Sequence, residues 1–125
     1  MHEGGISSIQ FKPNDNWQVL SGSVDSTLKI IDLRVRKSIH TFSHSDHATG
    51  QLWSGGTFSP DGRYIASGSS IEGTIFVWDT KDHSLKTKLS SGHAAGVVCI
   101  DWFLTDKGEQ QIASLDRKGS LVLWR

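Results

Sequence analysis

Short runs of β-branched and aromatic residues alternate with turn residues along this chain, most clearly between Phe58 and Asp79. Pro60-Asp61-Gly62 has the composition of a tight turn, because proline presets φ at about −65°, aspartate bonds its own backbone and glycine accepts a positive φ. The residues from Thr74 to Trp78 are all β-branched or aromatic, which favours a buried strand over a helix. The stretch therefore predicts three short strands joined by two tight turns.

The same pattern occurs three times. Phe11, Phe58 and Trp102 end equivalent strands, so the repeat spans 47 and then 44 residues. A repeat of this length with several strands is typical of a propeller blade. The predicted strands are 6–11, 17–22, 27–32 and 38–42 in the first unit; 52–58, 64–68, 73–78 and 85–89 in the second; and 97–103, 111–114 and 120–124 in the third.

Within the first strand apolar and polar residues alternate, so we expect Ile6, Ile9 and Phe11 to pack inward. Trp53 has the equivalent place in the second unit and is also expected in the core. Trp17 follows the polar triplet Asn-Asp-Asn. That setting favours an exposed tryptophan that could anchor a partner.

Composition sets broad limits on function. The chain has 125 residues, a formal net charge of +0 and a single cysteine, Cys99. Neutrality gives no electrostatic reason to expect nucleic acid or direct membrane binding. One cysteine favours a reducing, cytoplasmic setting, and no apolar run approaches the roughly 20 residues of a membrane span. Cys99 lies among apolar residues and is expected to be a small buried side chain rather than a nucleophile.

Trp78-Asp79 and Gly92-His93 resemble the signature dipeptides of WD repeats. The resemblance implies an all-β fold, a partial WD40 β-propeller of three four-stranded antiparallel blades whose last blade lacks its outer strand. The blades would span about 2–42, 47–89 and 92–125 of one region covering 1–125. Three blades cannot close a ring, since propellers have four to eight. We therefore expect either further blades upstream or self-association, with two copies completing a six-bladed ring.

The resemblance also implies a polar tetrad in each blade, made by a histidine, a serine or threonine, an aspartate and a tryptophan. Buried, such groups satisfy one another's hydrogen bonds. In every unit at least one member departs from the pattern: Ile31 replaces tryptophan in the first, Thr49 and Glu72 replace histidine and aspartate in the second, and Lys118 replaces aspartate in the third. The tetrad remnants are then His2, Ser21, Asp25, Ser67, Trp78, His93, Ser114 and Trp124.

A closer resemblance rests on the first unit's ending Ile31-Asp32 in place of Trp-Asp, on Phe58-Ser59-Pro60-Asp61-Gly62, and on the terminal Leu121–Trp124. This order is similar to the last three blades of the autophagy protein 16-like family. It implies a non-catalytic scaffold that helps direct lipid conjugation on membranes, recruited from the cytoplasm to autophagosomal or endolysosomal membranes through a complex. The alternative is a generic WD-repeat adaptor of a ubiquitin-ligase, chromatin or trafficking complex.

Candidate chemistry is sparse. His44, Asp46 and His47 could contribute zinc ligands, but no fourth ligand is indicated, so a solvated polar loop is favoured. His40 is expected to be an exposed strand residue. No Gly-x-Ser-x-Gly elbow or phosphate-cradling glycine loop occurs in the sequence. We expect no catalytic residue, no metal and no cofactor.

Once catalysis and metal binding are disfavoured, the expected function is protein binding through the loops at one rim of the propeller. In a propeller the loops before the first strand and between the second and third strands share one face, where rigid blades hold recognition loops. Fold alone does not establish such a function. The candidate protein-binding rim is His44, Asp46, His47, Glu72, Asp116, Arg117 and Lys118.

Overall fold

The computed structural model describes residues 6–23, 25–43, 56–69, 73–90, 92–93 and 95–124. These residues form eleven β-strands and no helix, which confirms the all-β class. Consequently they contain no helix that could cross a membrane. The strands are β1 (Ile6–Lys12), β2 (Asp15–Ser23), β3 (Leu28–Asp32), β4 (Lys37–Phe42), β5 (Gly56–Phe58), β6 (Tyr64–Gly68), β7 (Ile75–Asp79), β8 (Leu85–Leu89), β9 (Val97–Leu104), β10 (Gln110–Asp116) and β11 (Leu121–Trp124).

The strands build three antiparallel meanders, each called a blade below. Blade one has the order β1-β2-β3-β4, blade two β5-β6-β7-β8, and blade three β9-β10-β11. Across the described residues the third blade thus has three strands and the first two have four each. This arrangement confirms the partial propeller.

The turn at residues 59–63 forms as its sequence predicts. Gly62 has a φ of 74°, a conformation that glycine adopts without steric cost. The Ser59 hydroxyl donates to Asp61 Oδ1 at 2.6 Å and accepts the Tyr64 amide at 3.0 Å. These bonds fix the entry into β6 and therefore the register of blade two.

The inner three strands of blade two are buried, because the blade packs between the other two, whereas β8 is largely exposed. All five residues of β7 are buried, and each fully buried large apolar side chain contributes about 1.5–3 kcal/mol. Seam one, the contact between blades one and two, buries Leu20, Leu28, Ile30, Phe42, Phe58, Ile65, Phe76 and Trp78. Seam two, between blades two and three, buries Ala66, Ile75, Val77, Val97 and Ile112, with Tyr64, Leu89, Ile100, Trp102 and Trp124 packed against them.

A backbone hydrogen bond reinforces seam two. The Val97 amide donates to the Ser69 carbonyl at 2.8 Å. In seam one a side chain makes a link between the blades: the Gln10 side-chain oxygen Oε1 accepts the Phe58 backbone N–H at 2.7 Å. The blades are therefore tied by polar contacts near their inner strands and by apolar contacts outside them.

The inward packing expected for β1 is wrong. Ile6, Ile9 and Phe11 are 58%, 71% and 57% exposed, because their face of blade one has no blade packed on it within the described residues. Trp17 is exposed, in line with its sequence setting. Trp53 lies outside the described residues.

Two further expectations need correction. Cys99 is exposed because it points to the uncovered face of blade three rather than into seam two. His40 is half-buried, since its imidazole packs against His83 of blade two with ring centroids 3.7 Å apart.

Candidate interaction site

Blade three contains a chain of hydrogen-bonded side chains, of which those of Asp116, His93 and Ser114 are buried and that of Trp124 is half-buried. His93 Nδ1 lies 2.9 Å from Asp116 Oδ2, and His93 Nε2 lies 2.6 Å from Ser114 Oγ. The Trp124 indole N–H donates to the same Ser114 oxygen at 2.8 Å. A neutral imidazole protonated at Nδ1 satisfies all of these groups, because it donates to Asp116 and accepts the Ser114 hydroxyl proton.

The expectation that Lys118 leaves this tetrad without its carboxylate is wrong. Asp116 supplies the carboxylate from two residues after Ser114, whereas the family spacing, kept by Ser21 and Asp25, places it four residues on. Lys118 is exposed in the turn. A serine followed two residues later by aspartate was the sequence signal for this substitution.

Serine, histidine and aspartate in this order also occur in hydrolases, where the serine oxygen attacks a substrate. The environment here is different. Ser114 is 1% exposed, and the His93 and Asp116 side chains are 0% and 1% exposed. Because the Trp124 N–H also occupies the Ser114 oxygen, the arrangement ties β10 and β11 to the segment that carries His93.

Asp116 also holds the turn between β10 and β11. Its Oδ1 accepts the Lys118 and Ser120 amides, both at 2.9 Å. The Ser120 amide, followed by the His93 ring, lowers the pKa of Asp116 below its ordinary value of 3.8. The turn is closed by Gly119 at a φ of 87°. The tetrad therefore fixes a rigid, projecting turn at one rim of the blade.

On this rim the exposed charged residues of the turn after β10 are Arg117 and Lys118. They stand beside an open depression of about 380 Å³ lined by Val98, Asp116, Arg117 and Gly119. Asp116, expected on the binding rim, is instead buried in the tetrad. The other rim candidates, His44, Asp46, His47 and Glu72, lie outside the described residues.

The tetrad remnants of the other blades are placed as follows. The Ser21 hydroxyl donates to the Lys29 carbonyl at 3.4 Å, and Asp25 Oδ1 accepts the Thr27 amide at 2.9 Å. Ser67 and Trp78 are buried in blade two. His2 lies outside the described residues, among which no cluster of three potential metal ligands occurs.

A groove of about 190 Å³ runs along the outer end of seam two. It is lined by Val77, Thr87, Leu89, Trp102, Gln110, Gln111, Ile112 and Trp124. The strand pairs Ile30–His40 and Leu28–Phe42 of blade one correspond to Val77–Thr87 and Ile75–Leu89 of blade two. Smaller side chains at the positions of His40 and Phe42 therefore leave this groove open.

The sequence profile described as WD domain, G-beta repeat matches residues 1–32 and 36–79, more than half of the chain. The chain belongs to the WD-repeat family. The three antiparallel blades and the hydrogen-bonded tetrad of blade three agree with this assignment.

Individual curated proteins are also similar to this chain. Protein tipD of Dictyostelium discoideum is 43% identical over 82% of this chain and 17% of its own length. Human Protein Atg16l2 is 32% identical over 98% of the chain and 19% of its own length. The GATOR2 complex protein WDR24 of Danio rerio is 27% identical over 86% of the chain and 13% of its own length. The chain thus spans less than a quarter of the length of these relatives.

Proposed function

We propose that this chain is the WD-repeat part of an autophagy protein 16-like subunit, a non-catalytic scaffold that binds protein partners and helps direct lipid conjugation on membranes. The observation that carries the proposal is the similarity to tipD and Atg16l2 over most of the chain. In this proposal the protein is cytoplasmic and reaches autophagosomal or endolysosomal membranes through its complex. It needs no cofactor, binds no nucleic acid and contacts membranes only indirectly.

The rim around Arg117 and Lys118 is the proposed partner site. Both side chains are exposed on a turn that Asp116 holds rigid, so their positions are set before a partner arrives. Preorganised groups bind with a smaller entropic cost than groups on a mobile loop. Two adjacent cations favour a partner segment with acidic side chains.

Non-catalytic action is supported by the state of the one serine–histidine–aspartate arrangement among the described residues. Its members are buried and satisfied by one another and by Trp124. A hydrolytic role would require an accessible serine oxygen and donors for an oxyanion. The isolated chain is also proposed to self-associate through its uncovered blade faces.

A second candidate is a WD-repeat adaptor of another complex, and the similarity to WDR24 favours the GATOR2 type. The test is a pull-down with the longest natural polypeptide that contains this chain. Retention of components of the autophagy conjugation machinery supports the first candidate, whereas retention of GATOR2 subunits alone supports the second.

The rim is tested in the same pull-down by reversing two charges. Arg117→Glu with Lys118→Glu should abolish capture if the rim binds the partner. The matched control is Lys81→Glu with Lys107→Glu, which changes two exposed lysines on turns at the opposite ends of the strands. Equal capture by both double variants would contradict the rim as the binding site.

A further inference from the structure

An exposed apolar corner lies where β2 begins and β3 ends. Trp17, Leu33 and Val35 are 54%, 40% and 57% exposed there. The Leu33 backbone N–H donates to the Trp17 carbonyl oxygen at 2.8 Å, so these two residues are cross-strand neighbours whose side chains share a face of the sheet. Val35 lies in the turn that follows. We call the three residues the corner patch; it lies at the opposite ends of the strands from Arg117 and Lys118.

Blade two forms the same turn in the same way. Asp32 pairs with Gln18, and Asp79 pairs with Tyr64, in equivalent places of the two sheets. Asp32 accepts the amides of residues 34 and 36 at 2.9 and 2.7 Å, and Asp79 accepts those of residues 81 and 83 at 2.7 and 2.9 Å. The fourth residue of each turn has a positive φ, 56° at position 36 and 62° at position 83. The two turns are therefore equivalent residue by residue.

The equivalent surface of blade two is polar. Its Thr80 backbone N–H donates to the Arg63 carbonyl oxygen at 2.9 Å, as Leu33 donates to Trp17 in blade one. Trp17, Leu33 and Val35 correspond in this register to Arg63, Thr80 and Asp82. Because polar side chains build the same turn in blade two, the turn of blade one does not require apolar ones. Exposed apolar side chains that the fold does not require indicate contact with another molecule.

A neighbouring blade does not cover this strand position. Trp17, Arg63 and Gln110 are equivalent, since each lies four residues before the matching serine of its second strand. Arg63 lies on the face of blade two that packs in seam one, and Gln110 lies on the face of blade three that packs in seam two. Both are nevertheless exposed, the Arg63 side chain by 59%. The exposure of Trp17 is therefore a property of this position within a blade.

Two cations flank the corner patch. The Asp32 carboxylate holds the Arg34 guanidinium through hydrogen bonds of 3.2 and 2.9 Å. Arg36 and Lys37, which are also exposed, make no ion pair within the described residues. Apolar side chains beside unpaired cations are complementary to a ligand that is both apolar and acidic.

We propose that the corner patch, with Arg36 and Lys37, binds a short linear segment of a partner protein in which carboxylates flank an apolar side chain. The apolar side chain packs on the corner patch, and the carboxylates pair with the two cations. Tryptophan is enriched among the residues that dominate binding energy, and a turn that is fixed before binding lowers the entropic cost. This surface goes beyond the proposed function, because it gives the scaffold a second binding site at the other ends of its strands.

An anionic membrane matches this surface less well. Residues 15–17 and 32–37 contain three cations and two carboxylates, a net charge of about +1, whereas segments that bind acidic lipids carry clusters of about 4–8 cations. The charge of the corner therefore favours a protein segment as the ligand.

The test is selection of phage-displayed short random peptides on the longest natural polypeptide that contains this chain. We expect the enriched peptides to combine carboxylates with a large apolar side chain. Their synthetic forms should bind about 30-fold more weakly to Trp17→Arg, which copies Arg63 of blade two, because a tryptophan at the centre of a contact carries much of its energy. Lys37→Glu should also weaken binding, by a factor that shrinks as the salt concentration rises. Fluorescence polarisation of labelled peptides measures these affinities.

Leu104→Arg is the matched control. It places the same guanidinium at another apolar side chain, which is 55% exposed and lies at the same ends of the strands, so it should bind the peptides like wild type. Circular dichroism of each variant checks that the strands are retained. Arg117→Glu with Lys118→Glu should also bind the peptides like wild type, so the corner patch and the rim of the proposed function are tested independently.

Other outcomes would overturn the proposal. A selection without enriched peptides, or with peptides that bind Trp17→Arg as tightly as wild type, would exclude the corner patch as a peptide site. Enrichment of basic peptides would contradict the role of Arg36 and Lys37. Binding to vesicles of phosphatidylcholine and phosphatidylserine that Trp17→Arg abolishes, without any peptide binding, would assign the patch to a membrane instead.

Discussion

The imidazole rings of His40 and His83 pack against each other across seam one, with centroids 3.7 Å apart and planes tilted by 41°. His83 also meets the edge of Phe42, which in turn contacts Trp78. Burial, followed by the charge of His83 and then of Lys12, lowers the pKa of His40 below its ordinary value of 6.5. The outer end of this seam is therefore closed by ring contacts in which the His40 imidazole packs best when it is neutral.

A pH dependence follows from the His40 contact. Because the pKa of His40 is lower in the folded state, the unfolded chain binds more protons near pH 6, and the free energy of unfolding falls as the pH drops through 6.5. The stabilisation is complete above that pH. Urea midpoints measured from about pH 7.5 to 5.5 should decline less steeply for His40→Thr, which copies Thr87. An unchanged slope would contradict the assignment.

Ser114 is the centre of the tetrad in blade three. Ser114→Ala removes the oxygen that accepts the Trp124 N–H and contacts His93 Nε2. Leaving those buried groups without a partner should lower the free energy of unfolding by about 1–3 kcal/mol. Urea denaturation measures the change. The control is Ser38→Ala on the exposed outer strand β4, expected within about 0.5 kcal/mol of wild type; equal losses would show that the tetrad contributes nothing.

The choice between Asp116 and Lys118 as the carboxylate position can be tested directly. Asp116→Asn should destabilise the chain, whereas Lys118→Asn should not, because only Asp116 bonds His93 and the turn amides.

Since the pKa of Asp116 is lowered in the folded state, its stabilisation is present above pH 3.8 and is lost as the pH falls below it. Thermal unfolding from about pH 7 to 3 should therefore show a shallower acid limb for Asp116→Asn. A loss of stability with Lys118→Asn but not with Asp116→Asn would contradict this assignment and place the fourth tetrad position at residue 118.

The strand framework was predictable from local sequence. β6 and β8 have the predicted bounds, because turns containing glycine, proline or aspartate delimit their β-branched and aromatic runs. Which face of each blade is buried could not be predicted from the local sequence. Alternation places Ile9 and Cys99 each on one face of a strand, but only the neighbouring blades decide which face is buried. Asp116 was assigned to the rim rather than to the tetrad, since a histidine ring can be reached both from the end of β10 and from the turn that follows it.

The groove in seam two gives a prediction for stability. Leu89 occupies the position of Phe42, and the groove it lines with Trp124 measures about 190 Å³. Leu89→Phe should fill part of this space with a ring packed on Trp124, as Phe42 packs on Trp78, and should raise the free energy of unfolding by about 0.5–2 kcal/mol. Urea unfolding measures the gain. Leu33→Phe, at an exposed leucine in the turn after β3, adds the same ring outside any groove and should give none. A loss of stability with Leu89→Phe would mean that the seam is already packed too tightly to accept the larger side chain.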